Sequence, residues 1–218
     1  MKRKYRIGYI DEDEGEINDF LSYFDNYADE VQIIPIRPNK KLTDEIVDEV
    51  LEQKCDLVVI DFHLKYAQSE VEVNGDELLL RINDRRLNLP LLIFTSRIQE
   101  AESSFLSPST LICHKGEIND DEDPSFKEKL VKHIEFSIKL KQNYQKEFSD
   151  LRSKQESGSK LTGKEKKRVI ELNHLLSEMS DRQRLVNPIE NQDEELSAIN
   201  NLINKTENLI DKLKKEEE

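Results

Sequence analysis

Up to about residue 120, short apolar runs alternate with stretches of helical spacing. Residues 5–10, 31–36, 57–60, 89–94 and 110–114 read as strands. They are short, rich in β-branched residues, and lack the polar alternation of a sheet with one face in water. Between them, Ile17, Phe20, Leu21 and Phe24 predict a helix over 17–27, and Ile46, Val47, Val50 and Leu51 one over 42–52. Leu78, Leu79 and Ile82 carry a third over 75–87, and a short fourth is expected at 98–105. Strands alternating with helices imply a parallel sheet covered on both faces, here a five-stranded doubly wound α/β fold.

Beyond Pro124 the grammar changes. Phe126, Leu130, Ile134, Ile138, Lys141, Tyr144, Phe148 and Leu151 step by three or four, which predicts one long helix over 125–155. "ESGSKLTGKE" breaks it, and Thr162 followed three residues later by Glu165 is a capping-box start. Val169, Leu172, Leu175, Leu176 and Met179 carry a second helix. Asn187-Pro188 interrupts again, because the residue before proline avoids the helical region. Leu196, Ile199, Leu202, Ile203, Leu209, Ile210 and Leu213 then give a third helix with a stripe close to a heptad seam. The expected organisation is an α/β domain over 1–123 and an all-α helical or coiled-coil module over 124–218. The first helix of that module continues from the last helix of the domain.

Hydrophobic and charged residues each make up 36% of the 218 residues, which suits a modest core plus an extended charged helical part. The net charge of −13 is concentrated in residues 1–123, which hold 28 of the 46 acidic residues but only 14 of the 33 basic ones. That balance argues against nucleic acid as a partner. No apolar run approaches eighteen residues, so no membrane span is expected. The basic start is followed by no long apolar stretch, so it is not read as a secretory signal. Cys55 and Cys113 each sit beside a strand-like run and make no metal-ligand pattern; they read as buried thiols of a cytoplasmic protein.

In a doubly wound sheet, ligands gather at the carboxyl ends of the strands. Past the first strand stand Asp11, Glu12 and Asp13; past the third, Asp61; past the fourth, Thr95 and Ser96; past the fifth, Lys115. Converging carboxylates repel one another unless a cation sits among them, and oxygen ligands of this kind suit Mg²⁺. A lysine and a hydroxyl nearby match what a phosphoryl group needs. Asp61 would then be the nucleophile, forming an acyl phosphate.

At these residues the sequence resembles the response-regulator receiver domain of two-component signalling, over about residues 4–140. "IGYIDEDE" is similar to its first strand and acid pocket, and "DLVVIDFHL" to its third strand with the phospho-accepting aspartate. "NGDELL" resembles the start of its third helix, "LPLLIFTSR" its fourth strand with Thr/Ser, and "LICHKGEI" its fifth strand with lysine. The resemblance implies a flavodoxin-like fold with Asp61 as phosphoacceptor. It implies a metal site of Asp11, Glu12, Asp61 and the His63 backbone carbonyl, and phosphate contacts from Thr95 and Lys115. Asp13 and Ser96 are candidate supporting residues. The implied donor is a histidine kinase or phosphotransfer protein. The implied chemistry is self-catalysed phosphoryl transfer and autodephosphorylation, not turnover of a separate substrate. Output would run through the C-terminal helices, as a homodimer or by protein capture.

Three features depart from the family pattern. The segment between Leu64 and Asn74 is about six residues longer than the usual loop, with Lys65 where proline is common. Gly116 follows Lys115 where proline is usual, and Ile112 stands where the family carries an aromatic switch residue. Without that aromatic, the signal is expected to use the Thr95/Ser96 loop and the fourth helix. Three other readings compete: a pseudo-receiver scaffold that never takes phosphate, a phosphorelay protein using His133 or His174, and an aspartate-nucleophile phosphatase. The phosphatase usually carries a second acid where His63 stands.

Overall fold

The structure, a computed structural model, describes residues 3–38, 42–64, 73–86, 88–104, 106 and 110–179. Five parallel strands form one sheet in the order β2-β1-β3-β4-β5: β1 (Tyr5–Ile10), β2 (Val31–Ile36), β3 (Leu57–Asp61), β4 (Leu91–Thr95) and β5 (Leu111–His114). Helices α1 (Glu14–Asp25), α2 (Thr43–Glu52), α3 (Gly75–Arg85) and the short α4 (Ile98–Glu102) connect them. A single 3-10 turn at Lys115–Ile118 follows β5, then α5 (Ser125–Glu156) and α6 (Gly163–Glu178). This is the doubly wound parallel sheet that the alternating pattern predicts, with a helical C-terminal part.

Successive strand residues face opposite layers. Leu57 and Val59 of β3 join the core under α1 and α5, while Val58 and Ile60 join the core under α2 and α3. All five residues of β3 are buried, as a central strand covered on both sides requires. Pro35 is tolerated in β2 because β2 is an edge strand, where a missing N–H breaks no central ladder. Cys55 and Cys113 are buried free thiols, and burial pushes both pKa values up to about 11.

Several boundaries differ from expectation, α1 for instance running Glu14–Asp25, and at β4 and α4 the local reason is visible. Residues 89–90 lie outside β4: Leu89 is buried in the core without pairing, and the Pro90 carbonyl accepts from the Val58 N–H at 3.0 Å. Helix α4 stops at Glu102 rather than continuing to 105. The hydroxyls of Ser103 and Ser104 fold back onto the carbonyls of Glu100 and Ala101, each at 2.8 Å, and compete with helix continuation.

Helix α5 packs against one face of the sheet through its first turns only. Phe126, Leu130 and Ile134, four residues apart, are buried in the core they share with α1 and the facing side of the sheet. Farther along, α6 folds back antiparallel to α5: Arg168 donates to both Glu147 oxygens at 2.8 and 2.7 Å, and Lys141 Nζ to the Met179 carbonyl at 3.2 Å. The Thr162 hydroxyl accepts from the Glu165 N–H at 3.3 Å and Glu165 Oε2 from the Thr162 N–H at 2.7 Å, the expected capping box. The described residues belong to one compact unit, Met1–Asp181. The Asn187-Pro188 break, the third helix over 196–213 and the loop 65–72 lie outside the described residues. Among the described residues no helix is long and apolar enough to cross a membrane.

Candidate functional site: an acidic pocket with one lysine

Strand order reverses its direction of growth between β1 and β3, and this opens a crevice at their carboxyl ends. Asp11 and Glu12 leave β1 there, and Asp61 is the last residue of β3. Candidate ligand oxygens of Asp11, Glu12 and Asp61 all lie within 4.8 Å of one another. Asp11 and Asp61 are 1% and 5% exposed, so water screens their charges poorly.

Lys115, just past β5, reaches across to this cluster. Its Nζ donates to Asp11 Oδ2 at 2.9 Å and lies 3.0 Å from Asp61 Oδ1 and 3.3 Å from Glu16 Oε2. The His63 N–H donates to Asp61 Oδ2 at 2.7 Å, and the Asp13 N–H to Asp11 Oδ1 at 2.9 Å. Thr95 is buried at the end of β4, in register with His114, and its hydroxyl oxygen accepts from the Arg97 N–H at 3.0 Å. The fold therefore brings Asp11, Glu12, Asp61 and Lys115 together and sets Thr95 on the next strand. Ser96 is exposed. The exposed Asp13 side chain caps α1, accepting from the Gly15 N–H at 2.7 Å, and serves the pocket through its backbone.

The electrostatics follow from crowding. Burial pushes the Asp61 carboxyl above the ordinary range; Lys115 pulls it down and Asp11 pushes it up again. Burial, with the Asp11 and Asp61 charges, pushes Glu12 up to about 7. Burial alone would lower the Lys115 ammonium, but the Asp61 and Asp11 carboxylates outweigh it and raise it. Glu12 Oε2 is buried with no hydrogen-bond partner, a costly arrangement for a carboxylate. One lysine thus faces four acids, counting Glu16. Surplus negative charge, three clustered oxygen donors and an orphaned oxygen together fit a hard divalent cation such as Mg²⁺.

Two participants escaped the sequence reading. Tyr9 donates to Asp11 Oδ2 at 2.5 Å. Its signal was present: residues two apart on a strand share a face. Glu16 reaches Lys115 across 99 positions of chain, which nothing local announces. His63 Nε2 lies 3.1 Å from Glu100 Oε2 of α4, without hydrogen-bond alignment. Ile112 packs against the core under α2 and α3, at the position where the aromatic is missing.

The fold is the one seen in solved receiver domains. Among solved structures, the signal receiver domain of an HD domain-containing protein from Pseudomonas fluorescens matches with a TM-score of 0.50 at 14% identity, over 65% of this chain and 95% of that one. The anti-anti-sigma factor PhyR from Bartonella quintana matches at 0.47 and 16%, over 67% of this chain and 52% of that one. A response regulator receiver protein from Sinorhizobium medicae matches at 0.42 and 15%, over 64% and 98%. No family model matches the sequence, and no curated protein matches it either.

Proposed function

We propose that this chain is a response regulator that accepts a phosphoryl group on Asp61 from a histidine kinase or phosphotransfer protein. The observation that carries the reading is Lys115 Nζ, 2.9 Å from Asp11 and 3.0 Å from Asp61 beside the unpartnered Glu12 oxygen. A carboxylate oxygen of Asp61 attacks phosphorus and forms a P–O bond. The P–N bond to the donor imidazole breaks, and the imidazole keeps the electron pair. Lys115 and the Thr95 hydroxyl hold the phosphoryl oxygens. Asp11, Glu12, Asp61 and the His63 carbonyl would hold Mg²⁺, which supplies charge neutralisation at those oxygens when bound. Water later hydrolyses the acyl phosphate. The chain thus performs self-catalysed transfer and autodephosphorylation rather than enzymatic turnover.

On this reading residues 1–123 are the receiver and 124–218 a helical output module, with α5 rooted in the first and extending into the second. Phosphorylation replaces the single negative charge of the Asp61 carboxylate with a phosphoryl group carrying about −1.5 to −2. Output is by protein–protein contact, as a homodimer or through a captured partner. Incubation with Mg²⁺ and a small acyl phosphate, followed by intact mass measurement, tests the chemistry. A mass gain of one phosphoryl group that requires Mg²⁺ is the expected result; no gain in the wild type counts against the reading.

A further inference from the structure

Tyr9 is fully buried, with its hydroxyl aimed at the pocket. Its ring stacks on Phe20 at 4.0 Å and 13°, and meets the edge of Phe94 at 6.2 Å and 77°. Phe94 in turn packs against Phe126 at the root of α5, with ring centres 5.0 Å apart. A ring buried between these neighbours is confined, so packing holds the hydroxyl in place. Asp11 Oδ2 accepts from two side chains: this hydroxyl at 2.5 Å and Lys115 Nζ at 2.9 Å. The two donors differ in kind. The lysine sits on a flexible stem and also touches Asp61. The phenol is fixed by the packing of its ring, and its O–H points at Asp11 Oδ2.

A phosphoryl group on Asp61 would draw Lys115 toward its own oxygens. Without a second donor, that move would strand a buried carboxylate oxygen, which costs more than an exposed one. We propose that Tyr9 is a positioning residue of the phosphoacceptor pocket: its hydroxyl holds Asp11 Oδ2 so that Lys115 can transfer from Asp11 to the phosphoryl group. This rests on the receiver reading above. The same hydrogen bond fixes the Asp11 carboxylate for the cation, as partners behind a ligand do in metal sites generally.

Tyr9→Phe keeps the stacked ring and removes only the hydroxyl; Tyr9→Leu removes both. Three quantities separate the roles in the full-length chain: Mg²⁺ affinity by calorimetry, the rate of phosphoryl uptake from a small acyl phosphate by intact mass, and melting in chelator. The expected result is that Tyr9→Phe lowers Mg²⁺ affinity and uptake rate each about tenfold, with metal-free melting close to wild type. Tyr9→Leu should show the same functional losses and a lower melting point. Wild-type affinity and rate in Tyr9→Phe would overturn the inference and leave the receiver reading standing, as would a loss confined to melting. Failure of the wild type itself to bind Mg²⁺ and take phosphate would overturn the reading, and the inference with it.

Discussion

Gly75 lies directly against the backbone of Asp61: a Cβ on Gly75 would stand 2.0 Å from the Asp61 carbonyl oxygen. The Gly75 N–H also donates to the Phe62 carbonyl at 2.9 Å, so the start of α3 is moored to the turn that follows β3. Glycine is required here for close approach, since its φ lies outside the left-handed region. Gly75→Ala is expected to destabilise the fold by about 1–3 kcal/mol and to weaken Mg²⁺ binding by displacing the strand end. Urea unfolding and calorimetry check this. Native stability in the alanine variant would show that the loop yields without cost.

Lys115 is the counter-charge on which the metal-free pocket depends. Lys115→Met would leave Asp11 and Asp61 buried without it. Breaking a buried ion pair by removing one partner costs about 3–5 kcal/mol. Denaturant unfolding in chelator should show a loss of that order, and part of it should return at low pH as the carboxylates take protons. A variant as stable as wild type at neutral pH would mean that the ammonium carries little of the charge compensation.

The pH dependence of stability should differ between the metal-free and the Mg²⁺-bound protein. In the metal-free protein Glu12, pushed up to about 7 by burial and its acidic neighbours, holds its proton to higher pH than it does in the unfolded chain, where its ordinary value is 4.5. A raised folded pKa stabilises below the unfolded value, and the gain disappears as pH rises through the folded one. Asp61 is shifted in the same direction. Melting temperature in chelator should therefore fall between pH 4.5 and about 7, and Glu12→Gln should flatten that slope. Mg²⁺ needs the deprotonated acids, so its stabilising effect should grow across the same window. Equal Mg²⁺-induced shifts at both ends of the window would contradict a metal site that includes Glu12.

The five strands and the carboxylate positions were legible because a parallel sheet imposes short, doubly buried runs, and its ligands must stand where those runs end. The long helix was legible from Phe126, Leu130 and Ile134, whose spacing of four is the buried face itself. Helix α4 was read too long because Ser103 and Ser104 carry no apolar signal, and their hydroxyls decide the matter locally. Glu16 was missed for a different reason: its pairing with Lys115 exists only after β1 and β5 are brought to one end of the sheet. Tyr9 looked like one more apolar strand residue, although its period-two relation to Asp11 placed both on the same face.

Output is expected to involve self-association. The apolar stripe over 196–213, outside the described residues, has the spacing of a dimer seam. Light scattering on the full-length chain, with and without Mg²⁺ and phosphodonor, should find a dimer in at least one state. A monomer in both would direct attention to capture of a different protein.

The central claim is that Asp61 is the residue that takes phosphate. His133 is exposed on α5, and His174 is exposed on α6 with Nδ1 3.2 Å from Glu178 Oε2, so a helical histidine offers the direct contrast. Wild type, Asp61→Asn and a His133→Gln/His174→Gln double variant should be incubated with Mg²⁺ and a small acyl phosphate and weighed intact. Wild type and the histidine variant should gain one phosphoryl group, and Asp61→Asn none. Phosphate retained by Asp61→Asn and lost from the histidine variant would contradict the account.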